Sequence, residues 1–182
     1  MTGSLLPTEF PHLALVVGGA RSGKSGFAER LLSATARPRR YIATAQGWDD
    51  EMRARIAQHR RDRGSDWITV EAPLDLASAL ADAEGGECVL IDCATLWLTN
   101  HLLADHDLEG EAATLLSALL ACKAPVVIVS NEVGSGIVPD NALARRFRDA
   151  QGRLNQQLAG QAALVVTVIA GLPLVLKGQL PT

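Results

Sequence analysis

The strongest constraint in the sequence is an apolar run that leads straight into a glycine-rich segment. Leu13 to Val17 are all apolar, and residues 18–25 then fit the pattern G-x-x-x-x-G-K-[ST]. The members of this segment are Gly18, Gly19, Ala20, Arg21, Ser22, Gly23, Lys24 and Ser25. Glycines let such a loop turn tightly and aim its backbone N–H groups at phosphate oxygens, where the N-terminus of the next helix adds favourable potential. The sequence therefore predicts a strand, a phosphate-binding loop and a helix, and with them a nucleotide-binding protein.

Three side chains are candidates for the chemistry at such a loop. Lys24 is expected to reach the β- and γ-phosphates, and the Ser25 hydroxyl is expected to ligate Mg²⁺. Asp92 ends the apolar run 88–91 and is the natural carboxylate for the metal or its water, since enzymes with this loop usually place one at the end of a neighbouring strand. The alternative is that Asp92 caps the next helix through Thr95 or Leu96, and both roles can coexist.

The rest of the chain alternates between apolar runs and helical segments. Continuous apolar strands of this kind indicate a mostly parallel central sheet flanked by helices, so we expect an α/β fold. Strands are predicted at 13–17, 41–45, 67–70, 88–91, 125–130, 163–169 and 174–176. Helices are predicted at 25–32, 49–64, 74–83, 95–104 and 109–121, and around Pro139, which suits a helix's first turn. The last two strands are expected to form a C-terminal hairpin that turns at 171–173. Residues 13–182 are interpreted as a single domain that follows a loose tail at 1–12.

Composition excludes several classes of function. The 182 residues carry 17 basic and 20 acidic side chains, which argues against bulk nucleic-acid binding, and aromatic residues make up only 4%. No basic residue precedes Arg21, and Gly171 and Pro173 break the longest apolar stretch, so neither a secretory signal nor a membrane span is predicted. Three cysteines without metal-ligand spacing favour reduced thiols in a cytoplasmic protein.

Arginines are concentrated around one histidine. Eight of the 14 arginines lie within residues 37–63, which suggests either a discrete anionic ligand or a solvated helix face. His59 is followed by Arg60, Arg61 and Arg63, whose charges disfavour the imidazolium form and so favour a neutral, nucleophilic ring. Such a histidine beside bound phosphates can attack an α-phosphorus and form a phosphoramidate. A surface histidine without this role is the alternative.

These motifs resemble the bifunctional adenosylcobinamide kinase/adenosylcobinamide-phosphate guanylyltransferase family of cobalamin biosynthesis. The resemblance extends from about Leu13 to Lys177, and its most restrictive parts are the histidine helix and the segment SNEVGSGIVP at residues 130–139. The other matching residues are the loop 18–25, Tyr41 to Ala45, Asp49 to Met52, Arg55, Ile56, Trp67, Glu71, Asn141, Ala144, Arg145, Phe147, Arg148, Asp149, Gly152, Asn155 and Gln156.

The resemblance implies a RecA-like P-loop fold, a trimer and two reactions. ATP or GTP would phosphorylate the aminopropanol hydroxyl of adenosylcobinamide. GMP would then pass from GTP to that phosphate, giving adenosylcobinamide-GDP and pyrophosphate.

The resemblance also implies roles for particular residues. His59 would carry the guanylyl group. Nucleotide contacts would fall on Gly18 to Ser25, Ala43, Thr44, Ala45, Arg60, Arg61, Asp62, Arg63, Glu71 and Asp92. Some relatives carry Glu at the position of Asp92, which keeps the charge and changes the reach to a metal.

Two other classes of function are weighed against this one. The first is a P-loop kinase or NTPase without a covalent histidine step, and the second is a nucleotide-gated regulatory or scaffold protein. Asn131 and Glu132 follow the clearest strand, on the expected ligand side of the sheet. The glycines after them permit either a flexible loop that admits a large corrinoid or a simple turn. His12, His101 and His106 are expected to be structural or exposed.

Overall fold

A computed structural model of the protein describes residues 10–47, 50, 61 and 66–181. Its strands are β1 Leu13–Gly18, β2 Arg39–Ala43, β3 Trp67–Glu71, β4 Cys88–Asp92, β5 Val126–Asn131, β6 Leu164–Ile169 and β7 Leu172–Lys177. The helices whose bounds lie among the described residues are α1 Lys24–Ser33, α2 Leu76–Ala81, α3 Ala94–Leu103, α4 Leu108–Ala121 and α5 Ala142–Gln161. The seven strands form one sheet in the order β3-β2-β4-β5-β1-β6-β7.

The sheet is parallel except at one edge. Strands β1 to β6 pair in parallel, and β7 pairs antiparallel with β6 to close the chain as a hairpin. The central strands β4, β5 and β1 are apolar along nearly their whole length because both of their faces are covered. The predicted α/β fold with a mostly parallel sheet and a C-terminal hairpin is confirmed.

Each face of the sheet has its own core, because successive side chains of a strand point to opposite sides. Leu13 and Leu15 of β1 belong to one buried cluster, which also holds Trp97 of α3 and apolar residues of α2, α4 and α5. Ala14 and Val16 belong to the other cluster, which also holds Phe27 of α1. Helix α1 therefore covers one face, and the later helices cover the other.

Two local predictions were wrong. Helix α5 begins at Ala142, and Asn141 is its N-cap, with its side-chain oxygen accepting the Ala144 N–H at 2.7 Å. Pro139 therefore precedes the helix, because an asparagine closer to the helix satisfies the first-turn amides better. The hairpin turns at Ala170 and Gly171, both with positive φ, and Leu172 and Pro173 already belong to β7. Proline is tolerated there because β7 is an edge strand.

The residues just before β1 are attached to the sheet. Phe10 packs against the core on the α1 side, and the His12 carbonyl accepts the Val126 N–H at 2.8 Å. Of the predicted tail at residues 1–12, residues 1–9 lie outside the described residues, so the division of the chain at Leu13 stays a prediction. No described helix is long and apolar enough to cross a membrane.

Candidate functional site

The carboxyl ends of the parallel strands bring most of the predicted site residues to one edge of the sheet. Gly18 of β1 is in register with Asn131 of β5, while Ala43 of β2 is in register with both Asp92 of β4 and Glu71 of β3. In a parallel sheet this edge is where ligands bind. The structure therefore places the phosphate loop, Asp92, Ala43 and Glu71 on the same side of the molecule.

The phosphate loop needs glycine at two positions for different reasons. A Cβ at Gly18 would lie 2.6 Å from the Val168 carbonyl oxygen, so only glycine fits beside β6. Gly23 has φ +92°, a left-handed conformation that glycine adopts without strain. Gly23 is also the N-cap of α1 and has no side chain, so the first-turn amides of the helix keep their positive potential for a ligand.

Lys24 is held at this helix terminus. Its side chain is mostly buried, and its Nζ donates to the Gly19 carbonyl at 3.0 Å. A buried ammonium at the positive end of a helix is electrostatically unfavourable by itself. Bound phosphate oxygens would offset both the charge and the helix potential, so the loop is built to receive an anion.

Two hydroxyls accompany the lysine. Ser22 Oγ is buried and has no hydrogen-bond partner among the described residues. Buried polar groups in proteins are usually paired, so an orphan in this loop indicates a place where a ligand completes the bonding. Ser25, in the first turn of α1, is half-buried.

The C-terminal hairpin is in direct contact with the phosphate loop. The Gly171 N–H donates to the Ser22 carbonyl at 2.8 Å, and a Cβ on Gly23 would lie 3.3 Å from Gly171 Cα. The β6–β7 turn is thus part of the architecture of the loop, which sequence reasoning did not anticipate.

Asp92 ends β4, which is not the strand beside β1. Strand β5 lies between them, so the two strand ends are roughly 10 Å apart along the sheet. Helix α1 packs on this part of the sheet, where its Phe27 belongs to the same buried cluster as Leu90 and Cys93. Burial, together with the Asp92 charge, raises the pKa of the Cys93 thiol to about 12, while the Lys24 charge acts in the opposite direction.

The capping role considered for Asp92 is excluded by the local geometry. Cys93 is the N-cap of α3, its own side chain makes no capping hydrogen bond, and the Asp92 carboxylate accepts no hydrogen bond from the described residues. The Thr95 hydroxyl instead accepts the Asn131 N–H at 2.8 Å. Asp92 is half-buried at the carboxyl end of β4, on the side of the sheet where the phosphate loop lies.

Thr44 has a structural role that its sequence context did not reveal. The side chain is completely buried, and its hydroxyl donates to the Cys93 carbonyl at 2.8 Å and accepts the Cys93 N–H at 2.7 Å. The Thr44 carbonyl accepts from Asn100 Nδ2 at 2.9 Å. Its polar groups are therefore used to join the end of β2 to the end of β4, while Ala43 and Ala45 on either side are half-buried.

Glu71 is exposed at the end of the edge strand β3. It is four strand positions from β1, about 19 Å along the sheet at the usual strand spacing. Glu71 is therefore too far from the phosphate loop to touch the phosphates that the loop would hold.

The predicted histidine helix lies mostly outside the described residues. His59, Arg60, Asp62 and Arg63 are among those not described. Arg61 is described, with helical backbone and an exposed side chain, and Asp50 is helical as well. The nucleophilic role of His59 stays a prediction.

A buried polar network behind β5 was missed by the sequence reasoning. The Ser130 hydroxyl donates to Asn155 Oδ1 at 2.6 Å, and Gln151 Nε2 donates to both of these oxygens at 2.9 Å. Asn155 Nδ2 also donates to the Asn131 carbonyl at 3.0 Å. The network holds the ligand-side end of β5, and the only signal for it was the four-residue spacing of Gln151 and Asn155 on one helix face.

The loop at the end of β1, the buried lysine and the carboxylate two strands away at the end of β4 define a P-loop nucleotide-binding protein. Solved structures of other proteins show a similar fold. The RadB recombinase is similar with a TM-score of 0.55 at 15% identity, over 94% of this chain and 84% of that one. The P4 protein from bacteriophage phi6 in complex with ADP is similar with a TM-score of 0.52 at 11% identity, over 92% and 56%.

Sequence comparison then identifies the family. The family model described as "Cobinamide kinase / cobinamide phosphate guanyltransferase" matches residues 14–176, and the chain belongs to this family. The "Bifunctional adenosylcobalamin biosynthesis protein CobP" of Pseudomonas aeruginosa is 49% identical over 168 residues, covering 91% of this chain and 97% of that protein. The corresponding CobU protein of Escherichia coli is 44% identical over 181 residues, covering 91% and 99%.

Proposed function

We propose that this protein, a cobinamide kinase and cobinamide-phosphate guanylyltransferase of adenosylcobalamin biosynthesis, performs both reactions with nucleotides bound at residues 18–25. ATP or GTP donates its γ-phosphoryl group to the aminopropanol hydroxyl of adenosylcobinamide. GMP is then transferred from GTP to the new phosphate. The observation that carries the proposal is the buried Lys24 at the N-terminus of α1, where no side chain competes for the first-turn amides.

The loop acts by holding phosphates and stabilising their charge. Backbone amides at the start of α1 and the Lys24 ammonium bind the β- and γ-phosphate oxygens. The Ser22 hydroxyl, buried without a partner among the described residues, donates to a further phosphate oxygen. Since these groups are in place before the substrate arrives, little reorganisation is needed as charge develops during transfer.

Ser25 and Asp92 are the residues that would hold Mg²⁺. Both offer oxygen ligands, which a hard cation prefers, and neither side chain has a hydrogen-bond partner within the described ranges. A Mg²⁺ ion held by these residues would supply positive charge that neutralises the phosphates of the nucleotide.

The guanylyl transfer is proposed to proceed through His59. The neutral imidazole attacks the α-phosphorus of GTP, a P–N bond forms, and pyrophosphate leaves with the electrons of the broken P–O bond. An oxygen of adenosylcobinamide phosphate then attacks the same phosphorus, and the P–N bond breaks to return the imidazole. Arg60, Arg61 and Arg63 would bind the phosphates, with Asp62 beside them. This step is supported by the sequence and by family membership.

The remaining nucleotide contacts are assigned by position. Glu71 would accept hydrogen bonds from a guanine edge or a ribose, because its distance along the sheet from the phosphate loop separates it from the phosphates. Ala43 and Ala45 would approach the nucleotide through their backbone at the same edge, with Thr44 holding them in place.

The protein is further proposed to be a trimer in the cytoplasm. The C-terminal hairpin exposes several large apolar side chains, which support its use as an interface between subunits. They are Ile169, Leu172, Leu174 and Leu176. Three buried cysteines without disulfides favour a reducing compartment.

Labelling with GTP that carries its label on the α-phosphate tests the histidine step. Wild-type protein is expected to form an acid-labile GMP adduct. His59→Ala should abolish the label and spare phosphorylation of adenosylcobinamide, because the kinase step does not use the ring. Lys24→Ala should depress both activities by about a hundredfold or more, as expected when a charged donor to the transition state is removed.

His12→Gln is the matched control, because His12 lies at the amino end of β1, away from the phosphate loop, and a glutamine amide can still donate to the Leu119 carbonyl. It should keep both activities. If the wild-type protein takes up no label during turnover, the covalent step is refuted and a P-loop kinase without it is favoured. Equal loss of both activities in His59→Ala would contradict the division of roles.

A further inference from the structure

A second group of potential ligands lies where helix α3 ends and α4 begins. His101 is in the last turn of α3, His106 is in the connecting loop, and Glu111 is in the first turn of α4. One nitrogen from each histidine and one oxygen of the carboxylate all lie within 4.8 Å of one another. None of these residues belongs to the nucleotide site described above.

His101 is oriented as metal-binding histidines are. Its ring is buried, and Nε2 lies 3.2 Å from the Leu74 carbonyl oxygen. A carbonyl oxygen only accepts, so Nε2 carries the proton and Nδ1 presents its lone pair to His106 and Glu111. A backbone carbonyl that accepts the distant N–H is a usual outer partner of a ligating imidazole. Trp97 packs against the ring with centroids 4.5 Å apart and restricts its rotation.

The distances within the group are close to those of a tetrahedral metal site. The two Nδ1 atoms are 2.9 Å apart, and Glu111 oxygens lie 3.8 Å from His101 Nδ1 and 4.0 Å from His106 Nδ1. Ligand atoms about 2.1 Å from a tetrahedral Zn²⁺ are about 3.4 Å from one another. The two Glu111 distances are to different carboxylate oxygens, and with one ligand atom from each residue the three atoms lie within 4.8 Å of one another. To enclose an ion, the two nitrogens therefore have to separate by about 0.5 Å and the carboxylate has to move inward by up to about 1.4 Å. With the His101 proton on Nε2, His106 Nδ1–H donates to His101 Nδ1, and an ion would require that proton at Nε2 of His106 instead.

The group is accessible from outside. It borders a cleft of about 200 Å³ that also includes Asp75 and Thr114. The side chains of His106 and Glu111 are 40% and 37% exposed, so an ion has a path to the buried Nδ1 of His101, and water can fill the fourth position. Two imidazoles and one carboxylate suit zinc and its neighbours in the transition series better than Mg²⁺ or Ca²⁺.

We propose that His101, His106 and Glu111 form a binding site for Zn²⁺ or a similar divalent transition metal, separate from the nucleotide site. Its role is structural. The ion would join the end of α3 to the start of α4, and through His101 it would reinforce the contact with the Leu74 carbonyl. Asn100, the preceding residue, donates to the Pro73 carbonyl at 2.9 Å, so the same turn of α3 anchors the segment that follows Glu71.

Cobalt titration of the full-length, nucleotide-free protein tests the site. Chelator-treated protein in excess Mg²⁺ is titrated with Co²⁺, whose visible absorption reports tetrahedral coordination by nitrogen and oxygen, and Zn²⁺ is then added in competition. We expect one ion per chain, displaced by Zn²⁺. His106→Gln and Glu111→Gln should each weaken binding at least tenfold. Glu109→Gln, an exposed glutamate on the same helix, is the matched control and should bind as the wild type does.

Stability gives a second readout. Zinc at one hundred times its dissociation constant should raise the melting temperature of the wild type by roughly 5 to 10 °C and have little effect on Glu111→Gln. Zinc X-ray absorption of the wild type should detect two imidazoles, and this measurement needs no variant to fold. Absence of Co²⁺ and Zn²⁺ binding, unchanged affinity in both ligand variants, or a thiolate charge-transfer band from a cysteine site would each overturn the proposal.

Discussion

Removing the hydroxyl of Thr44 tests how the carboxyl ends of β2 and β4 are held together. The hydroxyl joins β2 to β4 by two hydrogen bonds to Cys93, one donated at 2.8 Å and one accepted at 2.7 Å. Thr44 and Cys93 are both buried. Thr44→Val keeps the shape of the side chain and removes both bonds. After this change the Cys93 carbonyl still accepts the Trp97 N–H at 3.2 Å, whereas the Cys93 N–H loses its acceptor.

The magnitude follows from this asymmetry. A buried N–H left without a partner costs about 1–3 kcal/mol, and the lost bond to the carbonyl, which keeps another donor, adds about 1 kcal/mol. Thr44→Val should therefore lower the free energy of unfolding by about 2–4 kcal/mol. Thr44→Ser keeps both bonds and loses one buried methyl group, so we expect a loss of about 1 kcal/mol.

Urea unfolding followed by circular dichroism measures these differences, with the slope against urea expected to stay unchanged. Thr99→Val is the matched control, because its hydroxyl donates only to the Thr95 carbonyl within the helix, and we expect a change within about 0.5 kcal/mol. A loss for Thr44→Val that is below about 1 kcal/mol, or no larger than that of the control, would refute this account of the edge.

Two further predictions concern backbone conformation and pH. Because Gly23 has a positive φ, Gly23→Ala should lower the free energy of unfolding by about 1–2 kcal/mol and weaken nucleotide binding measured by calorimetry. Gly160→Ala is the control, because the space around its Cβ is open, and it should leave both stability and nucleotide binding unchanged. Burial alone raises the pKa of Glu87, but hydrogen bonds from Arg40 and the Glu84 N–H outweigh it, so the pKa is lowered overall. The ionised carboxylate therefore stabilises the fold above its unfolded pKa of about 4.3, and this stabilisation is lost as the pH falls through the lower folded value. The free energy of unfolding of Glu87→Gln should accordingly depend less on pH than that of the wild type between about pH 5 and pH 3. An unchanged pH slope in that variant would contradict the role of the ion pair.

Much of the site was predictable because parallel strands place their carboxyl ends together. The pattern of residues 18–25 identified the loop. The apolar runs before Asp92 and Glu71 showed that each carboxylate follows a strand, and so placed both at the same carboxyl ends of the strands as the loop. Local details were less predictable. The start of α5 was misplaced because a proline and an asparagine compete for the helix terminus, and only the hydrogen bond to the Asn141 side chain distinguishes them.

What depended on distant contacts was not predictable. The histidines at 101 and 106 gave no signal, because their spacing matches no helical face, and Glu111 joins them only through the packing of α3 against α4. Thr44 resembled a nucleotide contact, since nothing in its neighbourhood reveals Cys93, 49 residues later, as its partner.

By itself the sequence determined the α/β class, the phosphate loop and the family, because these depend on local patterns of apolar, glycine and charged residues. Only the tertiary structure decided the strand order, which inserts β5 between the loop strand and Asp92 and places Glu71 far from the phosphates. It also decided which polar side chains are buried together. The physical reason is that strand order and side-chain convergence follow from packing energies summed over the whole chain, which no short segment of sequence contains.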